Sequence, residues 1–199
     1  MPKHAVGKAD ETIDRKMTRR EMVEKLLAGI ATGAAWPLIA TAHPVYRHLK
    51  NSALLDRSEA AHNATRWVPL FLNQQQNESL IALSESMVPG SIQAKVNRFI
   101  DLLLSVDTKE NQGKFVASLR TFNKIAEEQF GQAFPRLPLS DRDIVLKTAS
   151  TQADHHRDFS NLKDWITTAY YSSEEGMQEL GWTKSRAFRA FPGCDHESH

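Results

Sequence analysis

Cysteine is almost absent from this 199-residue chain: Cys194 stands alone. One thiol excludes an internal disulfide, a four-thiolate iron–sulfur cluster and a zinc ribbon built by this chain by itself. A C-x-x-C-H haem attachment site is excluded as well. Net charge is also scarce, because 25 Lys and Arg against 24 Asp and Glu leave +1. A chain without a concentrated basic surface is not one that holds nucleic acid by phosphate neutralisation. G-x-S-x-G, G-x-G-x-x-G and P-loop sequences are missing, and no pair of acids has a spacing that assigns acid/base work. Motifs alone therefore give no active site. The composition is otherwise that of a globular protein, with 41% hydrophobic and 25% charged residues, enough to bury a core.

The N-terminal part is organised differently from the rest. Residues 1–25 are polar and charged and include Thr18-Arg19-Arg20-Glu21-Met22-Val23, after which residues 26–42 (LLAGIATGAAWPLIATA) carry no charge. A basic region, a short apolar region and Ala40-Thr41-Ala42, with small residues at Ala40 and Ala42, follow the order of a cleaved export signal. The apolar run is shorter than the roughly 20 residues of a spanning helix, and Gly29, Thr32, Gly33, Pro37 and Thr41 dilute it. Weak hydrophobicity behind Arg19-Arg20 is the form of a twin-arginine (Tat) signal. The expected mature chain starts near His43. Glu21 and Glu24 dilute the positive charge, and Met17 offers an alternative start. The competing readings are a retained membrane anchor and an amphipathic N-terminal helix with a chance Arg-Arg.

Beyond residue 42 there are 18 basic and 19 acidic residues. Residues 43–77 hold an apolar patch interrupted by Pro69 and then the run Asn73-Gln74-Gln75-Gln76-Asn77; they read as a linker or a partner-hugging arm. From residue 78 onward the helical period is clear. One helix starts at Asn77, with Leu80, Ile81, Ser84, Met87 and Val88 on its face, and ends at Pro89-Gly90. A second is capped by Ser91 and uses Ile92, Val96, Phe99, Ile100 and Leu103. A third spans 111–130 and stops at Gly131. Pro135 and Pro138 mark a loop, Ser140 opens a fourth helix, and a fifth covers about 159–171. Ser172-Ser173-Glu174-Glu175 reads as a capping box for a short sixth helix ending at Gly181. No segment alternates like a strand, so residues 78–199 are predicted to form an all-α domain of five to six helices.

Two polar clusters are candidate metal ligands. His155 and His156, within Asp154-His155-His156-Arg157-Asp158, point about 100° apart on a helix, so a single ion faces one of them at most; the other reading is a polar turn between helices. Cys194, His196 and His199 form a ligand-rich chain end, a place where order is least expected. Trp165, Tyr170, Tyr171, Trp182, Phe188 and Phe191 crowd into 27 residues beside Gly176, Gly181, Pro192 and Gly193. Large aromatics on irregular backbone point to a partner interface that includes Pro192, or to completion of the core.

Leu80-Ile81-Ala82-Leu83-Ser84-Glu85-Ser86-Met87-Val88-Pro89-Gly90, followed by Phe99-Ile100-Asp101, resembles the opening of the gluconate 2-dehydrogenase subunit 3 family. The stretch from Tyr170-Tyr171-Ser172-Ser173 to Leu180-Gly181-Trp182, with Phe191-Pro192-Gly193-Cys194, is similar to that family's C-terminal signature. The resemblance implies a small helical, non-catalytic subunit with no cofactor of its own. Its implied partners are a large FAD-dependent flavoprotein of the glucose–methanol–choline type, a cytochrome c subunit carrying haem c, and the Tat translocase. The complex would oxidise a sugar, sugar acid or glycoside in the periplasm, and the small subunit would assist maturation and export of the flavoprotein. That would explain a folded-protein export signal on a chain without a cofactor motif. The alternatives are a membrane-tethered helical binding module and a small metal-binding protein.

Overall fold

The computed structural model describes Val45, His48 and residues 51–181. Among them are seven α-helices and no strand: α1 (Ser52–Asn63), α2 (Gln74–Met87), α3 (Val96–Ser105), α4 (Lys109–Phe130), α5 (Leu139–Thr151), α6 (Ala153–Tyr171) and α7 (Glu174–Glu179), with a 3-10 turn at Phe134–Arg136 before α5. The expected all-α class is what forms.

Helix starts follow from which side chains reach unpaired N–H groups. At α2 the Asn73 side chain accepts from Gln76 N at 2.8 Å, and Gln76 Oε1 accepts from Asn73 N at 3.0 Å. This reciprocal box opens the helix one turn before the expected Asn77, so Gln74, Gln75 and Gln76 form a first turn and not the end of a linker. Thr108 caps α4, and Gly131, at φ 68°, ends it, close to the predicted limits. At α5 the cap position is Pro138, without a side-chain bond, and the Ser140 hydroxyl turns to Asp141 instead. At α7 the Ser173 hydroxyl accepts from Gly176 N at 3.2 Å. Gly176, not Glu175, therefore occupies the third helical position, and the predicted capping box does not close. Gly181 does take the expected left-handed conformation, at φ 76°.

Two boundaries differ further. The second predicted helix begins not at Ser91 but at Val96, after a turn that ends with Lys95 at φ 49°. The Ser91 hydroxyl is engaged by Val88 O at 2.6 Å, and Ile92, expected on the apolar face, is 56% exposed. Helix α6 starts at Ala153, six residues early. His155 and His156 accordingly lie within a helix and not in an inter-helix turn.

Residues 43–77 contain a helix that the sequence pattern did not disclose. Asn51 caps α1 by accepting from Leu54 N, and Leu54, Leu55 and Ser58 are buried. Three buried positions are too few to make a stripe of helical period visible.

Helix α6 runs through the centre, against α2, α3, α4, α5 and α7. It carries Leu162, Trp165, Ile166, Ala169 and Tyr170 into the interior. Phe115 meets Trp165 edge-on at 5.4 Å, and Phe122 meets Phe134 edge-on at 6.2 Å, the arrangement favoured by ring quadrupoles. No described helix is long and apolar enough to cross a membrane.

Candidate functional site

The two sequence stretches that carry the resemblance meet in space. In the first, Glu85 on α2 accepts from Gly90 N at 3.0 Å and from Ile92 N at 2.9 Å. One carboxylate, two residues before the end of α2, thus fixes the Pro89-Gly90-Ser91-Ile92 turn. Gly90 sits at φ 92°, and its open face receives the Tyr170 ring; a Cβ there would stand 3.1 Å from the phenol oxygen. In the second stretch, α7 crosses the end of α6 so closely that a Cβ on Gly176 would overlap the Tyr170 carbonyl. Tyr170 is locked between the two glycines. Burial first, then a hydrogen bond and the charge of Glu179, push its hydroxyl up to about 12.

A second constellation lies on α3. Asp101 is fully buried, and its carboxylate accepts from the backbone N–H groups of Leu70 (2.6 Å), Phe71 (3.1 Å) and Leu72 (2.8 Å). Charge-assisted bonds to three donors offset the cost of removing a carboxylate from water. The clue in the sequence is an acid inside VNRFIDLLLS, otherwise largely apolar. Sequence reasoning missed its role, as it missed Glu85, because the partners of Asp101 lie about 30 residues away.

Half-buried polar groups also join elements. Asp158 accepts from Ser118 and Thr121 of α4 at 3.0 and 2.6 Å, while Asn123 donates to Ser79 and accepts from Phe134 N. An open groove of about 360 Å³ beside the start of α2 is lined by side chains including Asn73, Gln76, Arg120, Asn123 and Lys124. Lys124 lies 3.7 Å from Glu128.

The predicted site residues are dispersed. Trp165 is 1% and Tyr170 5% exposed, so both complete the core and neither presents a surface to a partner; their positions opposite Phe115 and Gly90 are the reason. Tyr171 is half-buried, edge-on to Tyr170. The His156 ring makes a 2.9 Å contact with Ser150 O across the α5–α6 break. Among the described residues no three His, Cys, Asp or Glu side chains come together as a metal site. Arg19, Arg20, Ala40, Ala42, Trp182, Phe188, Phe191, Pro192, Cys194, His196 and His199 lie outside the described residues.

No curated protein and no solved structure matches the chain. The family model described as gluconate 2-dehydrogenase subunit 3 matches residues 74–187, over half of the chain. That span contains the Glu85 turn, Asp101 and the Gly90–Tyr170–Gly176 junction. The chain belongs to the gluconate 2-dehydrogenase subunit 3 family.

Proposed function

We propose that this chain is the non-catalytic small subunit of a periplasmic, FAD-dependent dehydrogenase of the glucose–methanol–choline type, acting on a sugar, sugar acid or glycoside. Its work is to support maturation of the flavoprotein and to carry it through the Tat route, with a haem c subunit as the further electron carrier. The reading rests on the family match over residues 74–187, whose description is that of a subunit. The order of Arg19-Arg20, an uncharged run and Ala40-Thr41-Ala42 adds to it. The buried Asp101 and the half-buried Glu85, Asp158 and Asn123 are engaged in holding turns and helices together. Flavin chemistry belongs, in this reading, to the partner chain.

The test is co-expression of an Arg19→Lys, Arg20→Lys variant with the flavoprotein. Periplasmic dehydrogenase activity is expected to fall to background while both chains accumulate in the cytoplasm. Undiminished export of both chains overturns the carrier role.

A further inference from the structure

Residues 45–72 lie ahead of the family match, yet helix α3 and the residues flanking it hold them at three stations. Beyond the C-terminal end of α3, His48 Nε2 lies 3.7 Å from the Asp107 carboxylate. At the N-terminal end, Arg98 donates to the carbonyls of Ala61 (2.9 Å), His62 (3.4 Å) and Ala64 (2.9 Å), and Lys95 Nζ donates to His62 O at 2.6 Å. Two cations thus sit on the carbonyl end of α1, where the helix dipole favours them. The Arg98 guanidinium also lies 5.4 Å from the Trp67 ring centre. The chain then doubles back, and Asp101, midway along α3, takes the three N–H groups of 70–72. Helix α1 accordingly runs antiparallel to α3, with Leu54, Leu55 and Leu72 buried between the stations.

A ten-residue helix is marginal in isolation. Helix α3 is secured by α2 and α6, which pack against it. Lys95, Arg98 and Asp101 consequently line up only after the bundle has assembled. A segment whose grips all lie on one such helix and on Lys95 and Asp107 at its two ends binds when the domain is folded and opens as a unit with a lower free energy than global unfolding.

We infer that residues 45–72 are a folding-dependent strap, which fixes where the N-terminal segment leaves the assembled domain and releases it when α3 is not in place. Val45, three residues after the predicted end of the leader, is buried. Resting on the export reading, the strap makes presentation of the leader conditional on a folded domain.

The test is hydrogen exchange on the full-length chain carrying Asp101→Ala or, separately, Arg98→Gln. Each variant is expected to speed exchange about tenfold or more across the whole of 51–72, including the end remote from the substitution, with α4 to α6 as protected as in the parent. Acceleration confined to the neighbourhood of the altered station overturns the strap, and so does an equal rise in α4 to α6. Should Asp101→Ala fail to fold, Arg98→Gln, at a half-buried position, decides by itself. Undiminished export of the Arg19→Lys, Arg20→Lys variant removes the export reading and leaves the strap. Independent opening of the stations, with export of that variant blocked, does the reverse.

Discussion

A single methyl group distinguishes the glycines of this chain. At Gly176 a Cβ would meet the backbone of Tyr170 and Tyr171, atoms that cannot rotate aside, so Gly176→Ala is expected to cost about 1–3 kcal/mol. At Gly113, inside α4, nothing lies within 4 Å of the same position. There alanine is expected to stabilise by about 0.5–1 kcal/mol, because glycine is the poorer helix former. Urea titration of both variants checks the opposite signs. Tyr170 makes a pH prediction of the same locality. Its hydroxyl titrates near 10 when free and is pushed up to about 12 in the fold, first by burial and then by Glu179. A pKa raised by folding means that the neutral phenol is the form the fold prefers. Its contribution is complete below pH 10 and is lost as pH rises from 10 through about 12. Thermal midpoints across that window should fall more steeply for the parent than for Tyr170→Phe.

At the scale of the element, the ends of helices were more legible than their beginnings. Gly131 and Gly181 stop α4 and α7 as expected, since a left-handed residue is a local backbone requirement that glycine meets at no steric cost. Beginnings depend on which of several nearby polar side chains wins the unpaired N–H groups. Asn73 and Asn77 were both eligible, and Asn73 prevailed because Gln76 could return its bond, while Asn77 accepts from Asn97 of α3. Asn73→Ala should therefore lower stability by about 1 kcal/mol, measured by chemical denaturation, with exchange rising first in residues 74–77. Helix α1 escaped notice for a different reason: its burial is supplied by α3 and not by a long apolar stripe of its own.

For the molecule as a whole, the C-terminal aromatics divide into those the core has taken, Trp165 and Tyr170, the half-buried Tyr171, and those beyond residue 181. Trp165 is in the first group, and Trp165→Ala is expected to cost about 3–5 kcal/mol, seen as a lowered unfolding midpoint of the purified chain. A loss of partner binding in that variant would report unfolding and not contact. The fold leaves Val68 and Leu70 outside, at 76% and 60% exposure, next to the backbone that Asp101 holds from Leu70 to Leu72.

The helical class, the glycine stops and the two family stretches were determined by the sequence alone, because period, backbone permissiveness and motif order are properties of neighbouring residues. Only the tertiary structure decided that Asp101 clamps residues 70–72, that Tyr170 closes over Gly90, and that the supposed linker carries a helix. Those contacts join positions from about 30 to 80 residues apart. Their energies depend on desolvation and close approach, quantities that exist only once the chain has folded back on itself.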